Sequence, residues 1–178
     1  MRHHSRHIET ESNTKEYAKL AFIFVLLAAA ATVMSTTVEF HWTDWMRWFM
    51  AGFFLVFGSF KLIGYEHFVQ MFPRYDIIGK RYKLYTYLYP FIELSLGVAF
   101  VLDIAPVLRD VVTLIIMLVG AYGVAKGLMQ RGPTFHCACL GGIIKLPLST
   151  VTLLEDLIMA VMAALMIIAM LSGQVLSP

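Results

Sequence analysis

Charged residues are scarce in this chain. Asp, Glu, Lys and Arg together make up 15% of its 178 residues, against about 25% in soluble domains, while 59% are hydrophobic and the mean hydropathy is +0.72. Such a composition excludes a disordered chain and an ordinary water-soluble globule. No Gly-rich phosphate loop or other nucleotide motif is present, which removes support for ATP-driven pumping. There is no internal repeat and no low-complexity segment, and nothing marks a nucleic-acid partner. Cysteine is nearly absent, with two residues in the whole chain.

The apolar residues run together instead of being dispersed. A helix rising about 1.5 Å per residue needs about 20 mostly apolar residues to cross a hydrocarbon core about 30 Å thick. Five stretches meet that length: Leu20 to Val38, Met46 to Gly64, Leu84 to Leu102, Val107 to Gly127 and Val151 to Leu171. The expected fold class is therefore all-α, an integral membrane bundle of five transmembrane helices in a lipid bilayer. The first stretch follows a long leader containing Glu9, Glu11 and Glu16, and no small-x-small site stands clearly at its exit. It is therefore expected to remain as a helix and not to be removed as a secretory signal. Residues 1–17 are polar, include His3, His4 and His7, show no hydrophobic period, and are expected to form a mobile cytoplasmic tail. Tyr65 to Lys83 is basic and aromatic and is expected to lie along the membrane surface near anionic headgroups.

Positively charged flanks stay in the cytoplasm. With the N-terminus inside, 12 of the 14 Lys and Arg residues face the cytoplasm, and only Arg47 and Arg109 fall outside. This bias predicts a bacterial inner-membrane protein with its C-terminus outside and the connection between the fourth and fifth spans in the cytoplasm. Trp42, Trp45 and Trp48 gather at the first outer turn, and Tyr82, Tyr85, Tyr87 and Tyr89 where the third span enters; both sets read as interfacial anchors.

Both cysteines lie in that cytoplasmic connection, in RGPTFHCACLGGIIKLPL (131–148), as Cys137-Ala-Cys139. Pro133, Gly141 and Gly142 break helix on either side, and Lys126, Arg131, His136 and Lys145 supply positive charge. Nearby cations favour the thiolate, the form that attacks disulfides and binds soft metals. Thr152 and Glu155 have capping-box spacing, so a following helix start would act in the same direction. A disulfide between positions i and i+2 closes a small strained ring, which suits transient electron exchange more than permanent bracing. Three readings stay open: a redox dithiol, with one cysteine attacking and the other resolving; a soft-metal site for Cu(I), Zn(II) or Hg(II) built from Cys137, Cys139 and His136; and two small apolar residues in a loop. A closed four-ligand zinc site is not available from this loop alone.

Charges within spans are expensive and are usually paired or functional. Lys61 near the end of the second span and Glu93 within the third run antiparallel from one loop, so they are expected to pair, with snorkelling of Lys61 as the alternative. Glu155 and Asp156, about one turn into the fifth helix, are candidate proton acceptors for the cysteines or favour the helix start. Pro90 marks a kink, and Gly123 with Gly127 a packing step.

The helix segments GFFLVFGSFKLI (Gly52 to Ile63) and YPFIELSLGVAFVL (Tyr89 to Leu102), followed by CACLG (Cys137 to Gly141) before a final helix, resemble the MauE branch of the DoxX/MauE membrane proteins. The resemblance covers about Arg47 to Leu171. It implies a four-helix membrane domain, here residues 46–178, preceded by an extra helix and outer turn at 18–45. It also implies an association with thiol and disulfide redox: MauE-like proteins are linked to disulfide formation during methylamine dehydrogenase maturation, and DoxX-like relatives to thiosulfate and quinone electron transfer. The family's cysteine pair, helix Lys and helix Glu fall on Cys137 and Cys139, Lys61 and Glu93. The sequence departs from the family's Cys-Gly-Cys-Phe-Gly, with Cys-Ala-Cys-Leu-Gly in its place. The resulting expectation is a membrane thiol/disulfide redox protein, a possible thiol-disulfide oxidoreductase, exchanging electrons with a thioredoxin- or glutaredoxin-like partner. Cys137 and Cys139 would act with support from His136, Glu93 and Lys61. Quinone is a possible electron carrier and no other cofactor is indicated. A soft-metal binding or transport protein is the alternative, and a non-catalytic assembly subunit the third reading.

Overall fold

In a computed structural model, residues 2–36, 40–74, 76–131 and 150–172 are described, and among them every regular element is helical. The elements are α1 (Arg2–Ser35), α2 (Trp42–Ile63), α3 (Tyr65–Met71), a single 3-10 turn (Phe72–Arg74), α4 (Ile77–Arg81), α5 (Lys83–Val101), α6 (Pro106–Arg131) and α7 (Thr150–Leu171). Five of them hold segments long and apolar enough to cross a membrane: Tyr17–Ser35, Trp42–Ile63, Lys83–Val101, Pro106–Met129 and Leu153–Leu171. All five expected spans are thus present, with ends displaced by a few residues. From Arg2 onward the polar N-terminal residues are helical and continuous with α1. Nucleation is the unfavourable step of helix formation, so a helix already secured in its apolar half extends backward at little further cost.

Close packing, and not hydrophobic exclusion from water, holds helices together in lipid. The α2–α5 pair shows how the sequence permits it. A Cβ placed on Gly58 would sit 3.1 Å from Leu94 Cγ, and one on Gly97 would sit 2.8 Å from Leu55 Cγ. Each leucine therefore fills the gap left by the opposing glycine. α1 lies against α2, where a Cβ on Gly52 would meet Leu27 at 2.9 Å and the Phe24 ring stands 5.8–6.2 Å from those of Phe49, Phe53 and Phe57. α6 and α7 form the most extensive pair, and the shared core is Met50, Phe54, Phe57, Phe100, Met117, Met159 and Ala163. Large apolar side chains such as Phe91, Leu108, Ile115, Val161 and Ile168 face outward. In water they would form an unsupportable patch; in hydrocarbon they are the proper surface.

The connection from α2 to α5 does more than lie on a surface. Phe68 and Phe72 are buried and form, with Tyr89, a second apolar cluster that covers one end of the α2–α5 pair. Asp76 caps α4 by accepting the Gly79 N–H at 2.6 Å.

At the opposite end, α5 closes in a Schellman turn: Ile104 N–H donates to Ala99 O at 3.0 Å and Asp103 takes the left-handed conformation with φ 52°. Asp tolerates this region better than most residues.

Candidate functional site

The residues with most chemistry converge at the α2–α3 end of the bundle. Lys61 is in the last turn of α2 and Glu93 in the middle of α5, and the antiparallel packing brings them together: Lys61 Nζ donates to Glu93 Oε1. Their exposures are 6% and 1%, so Lys61 is paired inside the bundle and does not snorkel. The Lys61 ammonium also lies 5.0 Å from the ring centroid of Tyr89 and 5.9 Å from that of Phe68. Tyr89 is therefore not an interfacial anchor; it is buried at 6% exposure between Phe68, Phe72 and the ion pair.

α7 adds two further carboxyls. The helix begins at Thr150, which places Thr152 inside it and Glu155 and Asp156 in its second turn. The capping-box arrangement is thus absent, and both acids instead line a cavity of about 30 Å³ shared with Lys61, Tyr89, Glu93 and Gly120. Gly120 makes room for one of them, since a Cβ there would lie 3.1 Å from Asp156 Oδ2. On α6 the glycine that meets a carboxyl is thus Gly120, one turn before the Gly123–Gly127 step.

Charge counting characterises the site. One ammonium faces three carboxyls, and the group is neutral when two of those carboxyls hold protons. Buried charge without a partner is strongly unfavourable. Glu93 Oε2 and Glu155 Oε1 have no hydrogen-bond partner among the described residues. The cavity is thus suited to taking up and giving back protons. Outside the cavity lining, Asp76, 2% exposed, has its carboxyl held above the ordinary carboxylate range by burial, opposed by the Gly79 and Ile78 N–H groups.

A second ionic cluster occupies the opposite end. Arg109 Nε donates to Asp110 Oδ1 at 2.9 Å and Nη1 to Asp103 Oδ1 at 2.7 Å, while its guanidinium stacks 4.2 Å from the Phe100 ring centroid. Arg47 Nη1 donates to Phe100 O at 3.1 Å, and its guanidinium lies 4.7 Å from the Trp48 ring centroid. The two arginines close the exposed carbonyl end of α5 and lock the α5–α6 turn.

Of the residues singled out from sequence, Lys61 and Glu93 are brought together, and Glu155 joins them at the cavity. Cys137, Cys139 and His136 lie outside the described residues. Asp156, singled out together with Glu155, also lines the cavity, whereas sequence reasoning missed Tyr89 as a member of the site. The spacing of Tyr85, Tyr89 and Glu93, one helical turn apart each time, is the signal that would have found the tyrosine. Among the described residues no cluster of His, Cys, Asp and Glu has the geometry to hold a metal ion.

The family model described as Methylamine utilisation protein MauE matches residues 34–169, more than three quarters of the chain. No curated protein sequence and no solved structure matches it.

Proposed function

Because the chain belongs to the MauE family, as a multi-pass membrane protein, we propose that it is a thiol/disulfide redox protein in which Cys137 and Cys139 cycle between dithiol and disulfide. The thiolate of one cysteine attacks the disulfide of a thioredoxin- or glutaredoxin-like partner, forming a mixed disulfide and releasing one partner sulfur. The second cysteine attacks that mixed disulfide, closing the Cys137–Cys139 bond and releasing the other partner sulfur. Two electrons pass to the partner, and the two protons lost by the cysteines balance the two taken up by the partner's sulfurs. The reverse sequence reduces the pair, and a membrane quinone or a second membrane protein stands at the other end of the electron path. By the charge bias of the flanks, the cysteine loop faces the cytoplasm.

One observation carries the reading. The carboxyl-rich cavity lies roughly 8–9 Å along α7 from Thr150, one anchor of the loop, and roughly 10–20 Å along α6 from Arg131, the other. Thiol exchange needs a group that holds a proton between one sulfur leaving and the next attacking, and Glu155, nearest to the loop in sequence, supplies it.

Cys137→Ser and Cys139→Ser are each expected to abolish disulfide cycling, and one of the two to trap a mixed disulfide with a partner on non-reducing gels. Stoichiometric, tight Cu(I) or Zn(II) binding by the reduced protein with no trapped partner would overturn the reading in favour of metal handling. Alkylation of the cysteines in intact cells by a membrane-impermeant reagent would overturn the orientation.

A further inference from the structure

Phe72 forms part of the cavity wall on the α3–α4 side, packed against Phe68 and Tyr89. A row of polar groups nevertheless leads past these rings. Tyr85, Tyr89 and Glu93 stand at i, i+4 and i+8 on α5 and so share one face. Their contacts show that this face points inward: the Tyr85 and Tyr89 rings meet edge to face at 5.5 Å, Phe72 packs 4.6 Å from Tyr89 and 6.1 Å from Tyr85, and Glu93 receives Lys61. Tyr85, partly exposed, is the outer member of the row, and buried Asp76 lies within electrostatic range of both tyrosines. At the inner end Tyr89 interacts in the same way with Glu93 and Asp156.

We propose that this row is a proton path connecting the aqueous phase at the α4 end of the bundle with the carboxyl cavity by way of Tyr85 and Tyr89, with buried Asp76 as a proton-holding group beside the two tyrosines. A phenolic hydroxyl both donates and accepts. Each tyrosine therefore takes a proton from one neighbour while passing its own to the next, and no phenolate forms. One proton moves per passage and no electron is transferred. The cavity has room for one or two water molecules, enough to bridge Tyr89 to the carboxyls of Glu93 and Asp156. Among the described residues the other ionisable groups lining the cavity are Lys61 from α2 and Glu155 from α7, while Arg74, Lys80 and Arg81 lie on the connecting turns at this end. Lys61, held by Glu93, serves as the fixed positive charge, and the excess carboxyls receive the proton. Phe68 and Phe72 exclude bulk water, so passage is by relay and not by an open channel. The path stands independently of the redox role of the cysteines.

The test uses the full-length protein in lipid nanodiscs, transferred from H₂O to D₂O while the infrared band of the protonated carboxyls is followed. Tyr89→Phe is expected to slow the isotope exchange at least about tenfold, with smaller slowing in Tyr85→Phe and Asp76→Asn. Tyr89→His, which restores a group able to donate and accept, is expected to recover much of the rate; a purely structural role for the ring would not produce this recovery. Tyr122→Phe, on a side chain 59% exposed on α6, is expected to exchange as wild type does. The Cys137→Ser/Cys139→Ser double variant is expected to keep the wild-type exchange, which separates this result from the thiol chemistry. Wild-type exchange in Tyr89→Phe, or the absence of any protonated-carboxyl band in the wild-type protein, overturns the path.

Discussion

The two ends of the bundle each bury an ionic cluster, and they are built on opposite principles. Around Arg109, two arginines meet Asp44, Asp103 and Asp110 and donate to carboxylates and helix-terminal carbonyls or stack on aromatic faces, although Arg47 Nε and Asp110 Oδ2 lack hydrogen-bond partners among the described residues. Around Lys61, one ammonium meets three carboxyls, and two carboxyl oxygens lack partners among the described residues. Arginine suits the first arrangement because its planar fork offers five donors in fixed directions; lysine, a compact point charge with three donors, pairs one carboxylate of the second and leaves the others without a cation. At the arginine end the carboxylates beyond buried Asp110, Asp44 and Asp103, are about half exposed and hydrated, so this cluster resists change and braces the fold. One with surplus carboxyls is poised to exchange protons, at some loss of stability.

The contrast is most directly broken at the bracing end. Arg109→Met leaves the fully buried Asp110 without its guanidinium and frees Asp103, and is expected to destabilise by about 3–5 kcal/mol, read as a large drop in thermal unfolding temperature in detergent. Lys61→Met should be comparably harmful by itself, but adding Glu93→Gln is expected to restore most of the loss, because the pair is then removed together; a double-mutant cycle that shows no coupling would count against the buried pair. Glu155→Gln sharpens the difference, with an expected stability change within about 1 kcal/mol and a slowing of thiol-disulfide exchange by roughly 10- to 100-fold, measured with a soluble dithiol partner.

The smallest effect concerns pH. The carboxyl of Asp76 is raised in the folded state, so the native protein holds this proton more tightly than the unfolded chain does. Its contribution to stability is full below about pH 3.9, the unfolded value, and is lost as pH rises through the raised native value. Asp76→Asn keeps a capping acceptor for the Gly79 N–H and is expected to flatten that part of the stability–pH curve. An unchanged slope would show that Asp76 does not titrate differently on folding.

Much of this organisation was legible before any coordinates. Hydropathy located all five spans, because transfer into hydrocarbon sums along a contiguous segment. The Lys61–Glu93 pair was readable from two charges on antiparallel neighbours sharing a loop. Tyr89 was misread as an anchor, because a tyrosine near a helix entry suits the interface equally well until the rotation of the helix is known. That Glu155 and Asp156 line the cavity of Lys61 and Glu93 was not legible, since a place one turn into a helix suits a helix-start acid and a proton acceptor equally until the rotation of the helix is known. The burial of Phe68 and Phe72 was equally hidden, since a basic aromatic segment gives no sign of whether its rings face lipid or fold over a neighbouring helix.

The sequence by itself determined how many helices cross the bilayer, the family to which they belong and that any charge inside them needs a partner. Each of these follows from local composition or from order along the chain. Only the tertiary structure decided that three carboxyls share one lysine while two arginines brace the other end. That outcome depends on how far each helix is rotated and how closely Gly58, Gly97 and Gly120 let neighbours approach, and low dielectric makes a displacement of a few ångströms the difference between a paired charge and an unpaired one.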